Sequence, residues 1–184
     1  MNDNGPTEQW LLISYHVPTN PSALRVATWR ALKQLGAVVL GDGLYALEAS
    51  GEHRAALTQL SGRITQGGGT SICFEGSGLT DDDRSALRTR SKAAREDEYR
   101  QVMKSARKFL DHVAREEDSE DFRFAEVESL EEELEKVHRQ LERVIRRDSA
   151  GLGLRDEAQR SLAAARDRLD KYTERASLAE GARE

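Results

Sequence analysis

Arg25, Trp29 and Lys33 recur at intervals of four with Arg30 beside them, and Arg84, Arg88, Lys92 and Arg95 form a second row of the same kind. On a helix such spacing brings cations to one face. Guanidinium forks and an ammonium group held together suit a phosphate backbone or another oxyanion, and Trp29 can pack on the aliphatic stems. A basic stretch that leads into a packing segment, as the second row does, is how several DNA-binding helices are built. The competing reading is a solvated face, with Trp29 pressed into another helix or subunit and the acidic run Glu116 to Glu135 pairing with the second row.

Catalytic groupings are missing from the pattern. There is no nucleophile elbow, no phosphate loop and no Cys or His pair at zinc spacing. His16, His53, His112 and His138 stand apart, without an i, i+4 partner to share a metal. Gly67-Gly68-Gly69 follows a helical pattern and precedes a strand, whereas a phosphate-binding glycine loop follows a strand and opens a helix. Cys73, the one cysteine, reads as an inert small core residue of an apolar strand and cannot close an intramolecular disulfide. The expectation is a protein that is not an enzyme, with no catalytic residue, no cofactor and no metal.

Those residues must be positioned by a chain of 184 residues, 38% hydrophobic and 33% charged, the balance of exposed helices rather than of one dense core. Residues 1–80 carry 5 Lys+Arg against 6 Asp+Glu, and the rest 23 against 27. A net charge of −5 argues against whole-surface nucleic-acid binding, so such a role needs a local basic patch. With no bilayer-length apolar run and no cleavable leader pattern, no membrane contact is expected and the cytoplasm is the default compartment.

The front of the chain alternates strands and helices. Trp10 to Val17 is rich in β-branched and aromatic residues and predicts a strand. Asn20-Pro21 then starts a helix whose apolar positions are Leu24, Ala27, Ala31 and Leu35, ended by Gly36. Ala37–Leu40 and Leu44–Leu47 flank Gly41-Asp42-Gly43 and predict a hairpin. Leu57, Leu60 and Ile64 mark a second helix, and Thr70 to Phe74 a fourth strand. The order βαββαβ is the ferredoxin-like plan.

At Thr80-Asp81-Asp82-Asp83 a capping box opens a long charged helix, amphipathic only from Tyr99 through Val102, Met103, Ala106, Phe109, Leu110 and Val113. Val127, Leu130, Leu134, Val137, Leu141 and Val144, and then Ala158, Leu162, Ala165, Leu169, Tyr172 and Ala176, repeat with heptad spacing. Gly151 and Gly153 between them predict an antiparallel helical hairpin, with an intermolecular coiled coil as the alternative. The expected class is α+β: a ferredoxin-like domain at 1–79, a helical domain at 80–178, and a flexible tail at 179–184 that frays from Ser177.

Particular segments are also familiar: Trp10-Leu11-Leu12, Pro18-Thr19, Arg25-Val26-Ala27-Thr28-Trp29-Arg30-Ala31-Leu32-Lys33, Leu35-Gly36-Ala37 and Asp42-Gly43-Leu44-Tyr45-Ala46-Leu47. Gly68-Gly69, Phe124-Ala125-Glu126 and Arg146-Arg147-Asp148 follow. Together they resemble the N-terminal region of the ChrB family of chromate-resistance proteins over most of the chain. The resemblance implies a DNA-binding transcriptional regulator of a chromate-efflux operon, with operator DNA as partner and chromate as candidate effector, while the heptad seams and Trp29 lead to the expectation of a homodimer. In the longer members sensing is associated with a second domain, outside these residues. A dimerisation or oxyanion-sensing module of the same system is the alternative.

The front also looks like the central domain of PaaX repressors and the small ferredoxin-like nucleases of CRISPR spacer acquisition. Those nucleases carry an aspartate at the end of the first strand, where this chain has His16 after Tyr15. The metal-binding carboxylate of that class is therefore absent from this position.

Overall fold

A computed structural model describes residues 9–20, 22–119, 124–148, 151 and 153–181. Its elements follow the order β1 (Trp10–His16), α1 (Ser22–Leu35), β2 (Val38–Gly41), β3 (Leu44–Glu48), α2 (Gly51–Gln66), β4 (Thr70–Gly76), α3 (Asp81–Asp118), α4 (Phe124–Arg147) and α5 (Leu154–Gly181). The class is α+β. Two compact units divide the chain at Ala94/Arg95.

In the first unit the four strands form an antiparallel sheet in the order β2-β3-β1-β4. Alternate residues of β1 and β3, Leu11, Ile13, Tyr45 and Leu47, join Leu32 of α1 and Leu57, Leu60 and Ile64 of α2 in one core. Strand alternation and helical spacing thus meet on one side of the sheet. The turn between β2 and β3 needs glycine: Gly43 has φ +70, and a Cβ there would lie 2.6 Å from the Tyr15 carbonyl oxygen. Ser50 caps α2 by accepting the His53 N–H at 3.0 Å, and His53 Nδ1 donates to the Glu48 carbonyl at 2.7 Å.

The opening of α3 is the reciprocal box the sequence predicts. Asp83 N–H donates to Thr80 Oγ1 at 3.1 Å while Thr80 N–H donates to Asp83 Oδ2 at 3.0 Å. Residues 81–94 of this helix fall in the first compact unit. Ser91 donates to Glu48 at 3.2 Å and Arg90 reaches the Val39 and Leu40 carbonyls, which ties the start of the helix to the sheet.

In the second unit the heptad positions are buried as expected and fall into two clusters. Phe109 and Val113 pack with Val127, Leu130 and Leu134 and with Ala165, Leu169, Tyr172 and Ala176. Tyr99, Val102 and Ala106 pack with Val137, Leu141, Val144 and Ala158. Each fully buried apolar side chain of this kind contributes about 1.5–3 kcal/mol.

Two expectations change. α5 continues through Ser177 to Gly181, carried by the burial of Tyr172 and Ala176, and 182–184 lie outside the described residues, as does Pro21 at the expected start of α1. Cys73 is exposed rather than a core residue, on β4 at one edge of the sheet. Among the described residues no helix is long and apolar enough to cross a membrane.

Candidate nucleic-acid interface

α1 buries one face and presents the other. Leu32 and Thr28 lie inward, with Leu24, Ala31 and Leu35 packed on the core. A helical rotation away, Arg25, Arg30 and Lys33 are exposed around Val26, 40% exposed, and Trp29, 48% exposed. All four residues of the first predicted row therefore share one open surface, on which Trp29 is about half exposed. No Asp or Glu occurs between Glu8 and Asp42, so this helix has no acid of its own to neutralise it.

The second row divides. Arg88 and Lys92 are exposed. Arg84 is partly buried, donating to the Gly78 carbonyl at 2.8 Å and to Asp81 at 2.5 Å, and this pairing holds the Asp81 carboxyl below its usual range. Arg95 is only 5% exposed. Its Nη1 donates to Glu98 Oε2 at 2.7 Å, and Arg147 Nη2 reaches the same oxygen at 2.8 Å. A guanidinium so placed is a structural cation and not a surface contact for DNA, which corrects its place in the row.

The reason is arithmetic. Arg95 lies four residues before Tyr99 and so continues the seam of Tyr99, Val102, Ala106, Phe109 and Val113 rather than the polar face. Spacing alone carried that signal. Beside it, Tyr99 Oη donates to Asp148 Oδ2 at 2.9 Å, and Asp148 Oδ1 accepts the Gly151 N–H at 3.0 Å. Arg147 and Asp148, prominent in the sequence only as a helix end, thus bind the end of α4 to α3.

The acidic run is engaged within its own unit. Glu133 meets His112 Nδ1 at 2.7 Å, Glu116 lies 3.5 Å from His112 Nε2, and Glu117 pairs with Arg168 and Arg175. A groove of about 710 Å³ between α4 and α5 is lined by Glu131, Glu135 and Asp170 against Arg166 and His138. That surplus of carboxylates disfavours an anionic occupant. Among the described residues no group of three or more His, Cys, Asp or Glu is placed to hold a metal. His16 is the exposed last residue of β1.

Comparison with known proteins agrees with the sequence resemblance. The family described as Protein ChrB, N-terminal, matches residues 25–182, and the chain belongs to this family. It is 40% identical over 58 residues to Protein ChrB of Cupriavidus metallidurans, a stretch covering 32% of this chain and 18% of that relative. No solved structure matches.

Proposed function

We propose that this chain is a DNA-binding transcriptional regulator associated with chromate resistance, acting without a catalytic step on the operon of a chromate-efflux system. The observation that carries the reading is the α1 surface: Arg25, Arg30 and Lys33 exposed together on a helix without acids, in a chain whose net charge is −5. Phosphate binding by an acidic protein requires such a local concentration of cations. Arg88 and Lys92 on the start of α3 are the secondary contact, and Arg84 and Arg95 are assigned to structure instead.

The same reading takes the βαββαβ order with its β2-β3-β1-β4 sheet as a ferredoxin-like domain, similar in plan to the PaaX central domain. It takes α4 and α5, whose opposite ends share the two clusters, as an antiparallel helical hairpin. Chromate enters as the signal to which the regulator answers, and the cytoplasm as the place where it meets DNA.

Fluorescence anisotropy with labelled DNA from upstream of the protein's own operon tests the assignment. R25Q/R30Q/K33Q should bind at least about tenfold more weakly than the unaltered chain at low salt. Equal affinity would remove α1 from the interface. A second reading, a protein-interaction surface centred on Trp29, is favoured by the exposed Val26–Trp29 pair. It predicts that W29A abolishes binding to a protein partner and leaves DNA affinity intact.

A further inference from the structure

The two edges of the sheet are built differently. β2 is a strand of four residues whose pairing with β3 shifts register between Val39 and Gly41, and the Arg90 guanidinium lies on the Val39 and Leu40 carbonyls. Short length, an irregularity and a cation are the usual devices that keep an edge strand from pairing with another chain. β4 has none of them. It runs regularly for seven residues against β1, with a continuous register from Trp10↔Gly76 to His16↔Thr70.

Its side chains are exposed on both faces. Ile72 and Phe74, 70% and 49% exposed, lie on the face away from α2, and Cys73 is exposed on the other. The one charge in the strand, Glu75, is already neutralised within the chain: Arg54 of α2 donates to its two oxygens at 3.1 and 2.5 Å. Ser61 of α2 meets Ser71 at 2.9 Å, so the strand is braced from its own unit. The result is a straight, electrically neutral, apolar edge, the form that recruits a further strand.

We propose that this edge pairs with β4 of a second copy of the chain, antiparallel across a two-fold axis that sets Cys73 opposite its own counterpart. The strand is self-complementary in that register. Ile72 lies opposite Phe74 of the second copy and Phe74 opposite its Ile72, so both large apolar side chains are covered twice over. Glu75 falls opposite Ser71 rather than opposite another carboxylate. A two-fold centred on Ile72 would leave Phe74 facing Thr70, and one centred on Phe74 would leave Ile72 facing Gly76. A slip by one residue would put Ile72 beside Cys73 and exchange the faces of the sheet. The pairing makes an eight-stranded sheet with α1 and α2 of both copies on one side, an isologous contact of the kind commonest in oligomers.

Cysteine reports on the register directly. Residues opposite each other in an antiparallel pair have Cα atoms about 4.5–5.5 Å apart, inside the range a disulfide spans. Two Cys73 thiols, the one thiol per chain, should therefore join under mild oxidation. Partial burial of its sulfur pushes this thiol up, so the oxidation is run at mildly alkaline pH. Sedimentation of the full chain and of C73S should show the same concentration-dependent monomer–dimer equilibrium. The covalent dimer formed by the unaltered chain should track the dimer fraction.

I72K/F74K should be monomeric and uncrosslinked at concentrations where the unaltered chain is dimeric, with circular dichroism unchanged. I72T/F74T, which keeps strand propensity, should weaken association at least about tenfold if the lysine pair perturbs folding. A chain that stays monomeric throughout would overturn the proposal. So would a dimer that survives both double variants, or one in which Cys73 fails to crosslink.

Discussion

Glu98 illustrates how much the role of a charged residue depends on what faces it. One carboxylate oxygen receives both Arg95 and Arg147, and Arg95 has almost no access to water. Removing the carboxylate leaves two neighbouring cations without it, and breaking a buried pair in this way costs about 3 kcal/mol. E98A should lose roughly that much in urea denaturation, while R95A, which leaves Arg147 on Glu98, should lose less. An E98A loss below about 0.5 kcal/mol would mean the cluster is solvated. Neither change should alter the salt dependence of DNA binding, because neither residue is assigned to that surface.

Two phenols, the partly buried Tyr15 and the fully buried Tyr99, make a prediction about pH. Burial first, and then the neighbouring Tyr45 hydroxyl, push Tyr15 up to about 12, and burial with the Asp148 carboxylate pushes Tyr99 up as well. A raised phenol pKa means that the fold favours the neutral form. This contribution is complete below the ordinary phenol value near 10 and is lost as pH climbs through the folded value. Thermal midpoints should be level from about pH 7 to 9 and fall as pH passes about 10, and Y99F should lessen the fall. An unchanged midpoint at about pH 11 would contradict the raised values of these two phenols.

At the scale of elements, α3 is the instructive case. Its first residues, 81–94, carry Arg88 and Lys92 outward and use Arg84, Arg90 and Ser91 for contacts within the first unit, whereas residues from Tyr99 on form a buried seam. Truncating Phe109, fully buried between α4 and α5, should cost about 3–5 kcal/mol. An F109A loss under about 1 kcal/mol in the same denaturation assay would mean that the seam packs loosely.

Alternation and heptads made β1 to β4, the seams of α3 to α5 and the glycine turns legible in the sequence, since those patterns follow from which face is buried. Three features resisted because they depend on partners distant in sequence. Cys73 was misread because an apolar strand does not reveal that it lies at an edge of the sheet. Arg95 was misread because a charge at a seam position is buried only where a carboxylate such as Glu98 and a neighbour such as Arg147 await it. The end of α5 was misread because Ser177-Leu178-Ala179 carries no buried heptad position, while the packing of Tyr172 and Ala176 holds the turn before it. The spacing of the α1 row did not by itself show that Trp29 would be half exposed beside the cations.

For the molecule as a whole, acidity and DNA binding are compatible because the charge is unevenly distributed. The carboxylates concentrate beyond residue 80, and those that pair do so mainly with neighbours in their own unit, while α1 stays free of acids. Pairing through β4 would set two such α1 surfaces about a two-fold axis on one side of a single sheet. A two-fold protein of that form matches a palindromic operator, and half-sites in the upstream DNA would be its genetic trace.

The salt dependence of binding to that DNA tests the central claim most directly, because each phosphate contact adds about 0.9 to the slope of log K against log salt. R25Q/R30Q/K33Q should bind with a slope reduced by about three per chain, R88Q/K92Q by at most about two, and R95A by none. A triple variant with the slope of the unaltered chain would show that the α1 surface does not meet phosphate, and the account of this protein as an α1-led DNA-binding regulator would fail.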